Sequence, residues 1–171
     1  SRRLRVTEVA EFAALVRRHQ AMVFSIAYHF LHDRAAAEEV AQDVFLQLHR
    51  KLPALESADH VKSWLRRITG HRCVDYARRN PSPSGPSLEE VDEPQSSEAQ
   101  GDVLLESALR KLVASLPEKL RLVIILRYQE EMEPAEIAEE LEMPAATVKS
   151  YLQRGLQMLR GKAARTLGGV S

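Results

Sequence analysis

Apolar residues recur at three- and four-residue steps along most of the chain. Phe12, Leu15, Val16, His19, Val23, Ile26, Ala27 and Phe30 form one stripe of a long helix, with Thr7 placed to cap its start. Asp33 is placed to cap a second helix over about 34–51, ended by Pro53. Its buried face is Ala37, Val40, Ala41, Val44 and Leu48. A third helix is predicted from about Asp59 to Arg79, burying Val61, Trp64, Leu65 and Ile68. The stretch Leu55–Asp59 is too short and too polar to be more than a loop. Further on, Leu105, Ala108, Leu109, Leu112, Val113 and Leu116 predict another helix. Ser115-Leu116-Pro117-Glu118 fits a capping box with Pro tolerated in the first turn. It would open a helix over Lys119–Tyr128 that is apolar nearly all round, through Leu120, Leu122, Val123, Ile124, Ile125 and Leu126. Such a helix belongs at the centre of a domain. Pro134 opens a short helix, Glu133–Leu141, Pro144 ends the turn after it, and a last helix spans about Ala145–Ala164. No segment carries a strand signal, so the fold class is all-α.

The stretch between these groups of helices changes the picture. Asn80-Pro81-Ser82-Pro83-Ser84-Gly85-Pro86-Ser87 and the acidic run after it offer almost nothing to bury against their ordering entropy. The expectation is two small helical domains, residues 1–80 and 105–171, joined by a flexible acidic Pro/Ser-rich linker, 81–104. Charge follows the same division. The 171 residues carry no net charge. Residues 1–80 nevertheless hold 14 Lys and Arg against 9 Asp and Glu, and residues 81–107 hold 7 acids and no base. From Met143 onward there are five bases and no acid. Two basic modules around an acidic segment suit a polyanionic partner.

No apolar run approaches the roughly 20 residues of a membrane span, and the basic start leads into no apolar signal core. A cytoplasmic protein without membrane insertion is expected. The single cysteine, Cys73, precludes an internal disulfide framework. His29 and His32 stand one turn apart without a third ligand. His71 and Cys73 point to different helix faces. There is no phosphate-cradling glycine loop and no Gly-x-Ser-x-Gly. No catalytic site, metal or cofactor is expected.

Three patterns suggest binding. Helix, tight turn and helix from Ile137 to Leu152 suit a helix-turn-helix. Ala138 is small at the crossing, Glu142 stands where a turn glycine is usual, and Ile137, Leu141, Met143, Val148 and Leu152 would form the core. The second helix would present Thr147, Lys149, Ser150, Tyr151, Gln153 and Arg154 to DNA, with its N-terminal amides toward phosphate. A plain helical hairpin has the same pattern. Next, Lys62, Arg66, Arg67, His71, Arg72, Arg78 and Arg79 crowd one helix, as phosphate neutralisation would require. A solvated face would look alike, and Trp64 falls in register with the core. Last, Leu46 stands on a polar face with Glu38, Glu39, Gln42 and Asp43. It is either a stray exposed leucine or a protein-docking point.

These stretches together resemble the extracytoplasmic-function (ECF) sigma factors of bacterial RNA polymerase, over about Phe12 to Arg160. Ala37-Glu38-Glu39-Val40-Ala41-Gln42-Asp43-Val44-Phe45 resembles the region 2 helix that binds core polymerase. Trp64-Leu65-Arg66-Arg67-Ile68, Asp75 and Arg78-Arg79 resemble the helix that melts the promoter and reads the −10 element. Leu116-Pro117, Arg121, Glu136-Ile137-Ala138 and Thr147-Val148-Lys149-Ser150 resemble region 4, which reads the −35 element.

The resemblance implies a sigma factor that binds core RNA polymerase through Glu38, Glu39, Gln42, Asp43 and Leu46. It implies −10 contacts from Glu56, Ser57, Ala58, Asp59, Lys62, Arg66, Arg67, His71, Arg78 and Arg79, the loop Glu56–Asp59 capturing a flipped base. It implies −35 contacts from Ala146, Thr147, Lys149, Ser150, Tyr151 and Arg154. Promoter DNA and an anti-sigma factor would be its further partners. The chain departs from the family's usual residues at Thr69-Gly70-His71, where Ala-x-Asn is common. It departs again at Ala146 and at Tyr151, where Gly and Arg are common. A helix-turn-helix regulator of duplex DNA, acting without polymerase, is the alternative reading.

Overall fold

The computed structural model describes residues 2–52, 57–81 and 97–168. Among them are seven helices and no strand: α1 (Arg2–Leu31), α2 (Arg34–Lys51), α3 (Ala58–Arg79), α4 (Ser97–Ala114), α5 (Glu118–Tyr128), α6 (Pro134–Leu141) and α7 (Ala145–Gly168). Most of the expected linker, Glu56 and Pro53 lie outside the described residues.

α1 begins at Arg2, so Thr7 falls inside the helix and not at its start; the sequence of residues 2–6 holds no helix breaker. α1 ends where His32 turns left-handed at φ 51°, its N–H donating to the Tyr28 carbonyl at 2.7 Å. α2 starts as its sequence predicts, with the Asp33 carboxylate accepting from Ala36 N at 3.0 Å. α3 starts earlier than expected. Ser57 is its N-cap, the hydroxyl accepting from His60 N at 3.1 Å, and Ala58 and Asp59 already lie in the first turn. The expected loop therefore ends at Ser57. Val61, Trp64 and Leu65 are buried, and Trp64 is a core residue.

In the second half α4 begins at Ser97, inside the stretch expected as linker. Leu105 and Leu109, expected on a buried face, are about half exposed. The capping box at Ser115 does not form. Pro117 occupies the N-cap of α5, and the Ser115 hydroxyl turns back to donate to the Leu112 carbonyl at 2.6 Å. A reciprocal bond of that kind opens α6 instead, where Glu133 N donates to the Glu136 carboxylate at 3.0 Å. α5 buries Leu120, Leu122, Val123, Ile124, Ile125 and Leu126 and touches α1, α3, α4, α6 and α7. An all-round apolar helix can only be satisfied in that central place. The glycine Gly155 of α7 lets it approach closely: a Cβ there would lie 2.9 Å from Ile124 Cγ1.

The two groups of helices pack on each other. Val23, Phe30 and Cys73 of the first and Leu116, Leu122 and Leu126 of the second belong to one continuous core. Arg121 bridges them. Its Nη1 donates to the Phe30 carbonyl at 3.0 Å, while Nε and Nη2 donate to Leu116 O at 3.2 and 2.9 Å. Burial pulls its pKa down, with the Glu118 carboxylate opposing.

Candidate nucleic-acid and protein interfaces

On α2, Glu38, Glu39 and Gln42 are exposed and Asp43 half-buried, and Leu46 is 62% exposed. Leu46 does not stand alone on that face. It forms the rim of an apolar groove of about 760 Å³ between α1 and α2, with Phe12, Val16, Phe24, Ala41 and Phe45 on its walls. Its aromatic walls are Phe12 and Phe24 of α1 and Phe45 of α2, residues at the edges of the two buried faces, which a two-state division into buried and polar faces does not reveal. Asp43 is held from two sides, by Gln47 Nε2 at 3.2 Å and Arg72 Nε at 3.1 Å.

The basic face of α3 is real but largely engaged. Arg66 Nε stands 3.1 Å from each carboxylate oxygen of Glu140 on α6. Arg67 Nη1 donates to Glu142 Oε1 at 3.0 Å, and Arg78 Nε to Glu118 Oε2 at 2.8 Å. Lys62, His71 and Arg79 are exposed. Ser57 and Asp59 are exposed at the start of α3, and Ala58 is its first helical residue. Three carboxylates of the second half thus sit on three arginines of the first, and sequence reading did not anticipate them. Glu140 carried a signal: it lies three residues after Ile137, on the buried side of α6. Its side chain is 4% exposed, and burial raises its pKa, with the Ser63 side chain and Arg66 opposing.

α6 and α7 form a helix-turn-helix. Ile137, Ala138, Val148 and Leu152 are buried between them, with Leu141 and Met143 partly so. The turn closes with Met143 N donating to the Ala138 carbonyl at 2.9 Å. Glu142 adopts the left-handed conformation, φ 55° and ψ 47°, which costs a non-glycine residue about 1 kcal/mol. On the outer side of α7, Ala146, Lys149, Ser150 and Arg154 are exposed, and Thr147 is half-exposed. Tyr151 is half-buried and packs against the core, so its ring is divided between the neighbouring helices and the outer face.

No group of His, Cys, Asp and Glu able to hold a metal occurs among the described residues. His29 Nδ1 bonds the Ser25 carbonyl at 2.7 Å, and His32 is buried. Burial of Cys73 pushes its thiol pKa far up, so it is not a reactive thiolate. No helix among the described residues is long and apolar enough to cross a membrane.

Residues 15–81 match the family model of Sigma-70 region 2, and residues 106–159 match that of Sigma-70, region 4. The chain is 31% identical over 157 residues to the ECF RNA polymerase sigma factor SigK of Mycolicibacterium vanbaalenii, covering 87% of this chain and 80% of that one. It is 25% identical over 162 residues to the ECF RNA polymerase sigma factor SigW of Bacillus subtilis, covering 87% of each. Among solved structures, the fold is similar to that of the sigma factor RpoE in complex with the anti-sigma factor NepR from Bartonella quintana. There the TM-score is 0.66 at 18% identity, over 88% of this chain and 95% of that one. CnrH in complex with the cytosolic domain of CnrY gives a TM-score of 0.64 at 20% identity, over 90% and 88%. With region 2 on α1–α3 and region 4 on α4–α7, the chain belongs to the ECF sigma factors of RNA polymerase.

Proposed function

We propose that each sigma activity is carried by a particular face of this chain. Residues 1–80 form the unit for core polymerase and the −10 element, residues 105–171 the unit for the −35 element, and 81–104 the connector. Core polymerase docks on α2 through Leu46 and the apolar groove behind it. Glu38, Glu39, Gln42 and Asp43 supply a polar rim, the arrangement in which one apolar anchor carries most of the affinity.

Promoter opening falls to the start and basic face of α3. Glu56, Ser57, Ala58 and Asp59 hold a flipped base. Lys62, Arg66, Arg67, His71, Arg78 and Arg79 neutralise the phosphates of the strands as they part. The N-terminus of α7 enters the major groove, where Ala146, Thr147, Lys149, Ser150, Tyr151 and Arg154 meet the −35 element. The chain works in the cytoplasm and performs no catalysis itself; the polymerase does the chemistry. An anti-sigma factor is a further partner, as in the complex of RpoE with NepR.

The observation that carries this reading is Leu46, exposed at the rim of an apolar groove and framed by acids. A duplex-binding regulator would leave that face unused. Run-off transcription with core polymerase on a promoter library tests it. Initiation must depend on both core polymerase and this chain. Specific duplex binding without such initiation would overturn the reading.

A further inference from the structure

The exposed face of α7 continues past Arg154, the last residue placed on the −35 element above. Gln157, Arg160, Gly161, Ala164 and Arg165 are all exposed on it. We propose that duplex DNA runs along this whole face: Gln157 reads a base pair flanking the −35 element, and Arg160 and Arg165 hold phosphates on its two sides. The inference rests on α7 being the −35 helix.

The charges are laid out as a groove requires. At 3.6 residues per turn, Lys149 and Arg160 fall along one margin of the exposed face, and Arg154 and Arg165 along the other. Each pair is eleven residues apart, close to three full turns and about 16 Å along the axis. Between the margins lie Ala146, Ser150, Gln153, Gln157, Gly161 and Ala164, all uncharged and either small or amide-bearing. A helix seated in the major groove has phosphates on both flanks and base edges in front of it. Cations at both margins and small or amide side chains at the centre match both surfaces. A face that meets only water mixes charges of both signs, whereas no acid occurs from Met143 onward.

The four outward cations are also free to be used. Lys149, Arg154, Arg160 and Arg165 make no ion pair or hydrogen bond among the described residues. Lys162, the remaining cation of this stretch, lies on the inner side and is committed to the fold. Its Nζ donates to the Ser115 carbonyl at 3.1 Å and to the Ser115 hydroxyl at 2.7 Å, closing the end of α4.

Gly161 leaves the helix surface bare between Arg160 and Arg165, since a Cβ there would meet nothing within 4 Å. An exposed helical glycine costs about 1 kcal/mol against alanine, and what it supplies is close approach of a partner's backbone. Beside it a shallow recess of about 460 Å³, lined by Gln157, Met158, Gly161, Lys162 and Arg165, has room for a phosphate at the Arg165 margin. Gln157 then faces the base edges, where a glutamine amide bonds adenine through two hydrogen bonds.

The test uses the holoenzyme, this chain bound to core polymerase. The promoter library is randomised through the −35 element and the base pairs on both sides of it. Retained templates are sequenced, and binding is measured over a range of salt. The wild type should favour adenine about tenfold at one position next to the −35 element, and Gln157→Ala should flatten that position alone. Arg160→Ala and Arg165→Ala should each weaken binding alike on all templates and lower the salt slope by about 1. Lys162→Met removes the same charge from the inner side and should leave the slope unchanged.

A Gln157→Ala profile identical to the wild type would overturn the inference and leave the −35 role standing. So would slopes for the two arginine variants equal to that of Lys162→Met, and the face would then suit an acidic protein instead. No preference at any randomised position would overturn the −35 role of α7 and the inference with it.

Discussion

The Arg121 guanidinium lies over the Phe30 ring, 4.4 Å from its centroid, and donates to the carbonyl of that same residue at 3.0 Å. One side chain of region 4 therefore satisfies the C-terminal end of α1, where a positive charge also suits the helix dipole. Arg121→Met leaves the Phe30 and Leu116 carbonyls without this donor. It should lower unfolding free energy by about 2–3 kcal/mol, read from the urea midpoint at unchanged slope.

Two glycines of α7 should respond to alanine with opposite sign. At Gly155 the new Cβ would lie 2.9 Å from Ile124 Cγ1, and overpacking of this kind costs about 1–3 kcal/mol. At Gly161 nothing lies within 4 Å, and the gain in helix propensity should stabilise by up to about 1 kcal/mol. Thermal unfolding of the two single variants checks both signs in one experiment.

Leu46→Ala should weaken core-polymerase binding by about 2 kcal/mol while leaving the urea midpoint in place, because the side chain is 62% exposed. Leu48→Ala, two residues later, fully buried and outside the groove, should instead cost about 2–5 kcal/mol of stability. Binding of each variant to core polymerase, measured beside its unfolding curve, separates docking from folding.

Burial holds the carboxyls of Glu130 and Glu140 above the ordinary glutamate range. Arg66 and Lys62 pull the first back, Ser63 and Arg66 the second, while Glu140 and Glu136 respectively add to the rise. A raised folded pKa means that the folded state binds the extra proton. The stability linked to it is complete below the ordinary value of about 4.3 and is lost as pH rises through the folded pKa. His19 has the opposite sign, its pKa lowered by burial, Arg18 and Lys62, so a difference measurement is needed. Wild type minus Glu140→Gln should show a larger unfolding free energy near about pH 5 than near about pH 7.5.

Tyr151 divides its ring between core and surface. A Tyr hydroxyl cannot make the two-pronged bond by which Arg reads guanine. Tyr151→Arg should introduce a guanine preference of about 1–3 kcal/mol at one position of a randomised −35 library. An unchanged base profile with lowered stability would mark Tyr151 as a packing residue.

Much of this was legible because local patterns had local causes. The Asp33 cap, the all-round apolar α5 and the small Ala138 at a helix crossing each follow from a few adjacent residues. The early start of α4 was hidden because the residues after Ser97 carry helix formers but no apolar stripe, and they fall in an acidic stretch that otherwise reads as coil. Ser115 misled because Pro117, at the N-cap itself, supplies no side-chain acceptor. The pairing of Arg66 with Glu140 had no local trace beyond the position of a glutamate on the inner side of α6. An ion pair between distant residues follows from how the helices stack, and periodicity does not report that.

The burial of Cys73 gives the chain a built-in clock. Its thiol is fully enclosed in the core shared by both halves and near enough to Arg121 to feel its charge. As the sole cysteine, it can meet an alkylating reagent only when the surrounding helices part. The rate at which a maleimide consumes it therefore counts openings of the native chain, with no label attached beforehand and no residue changed.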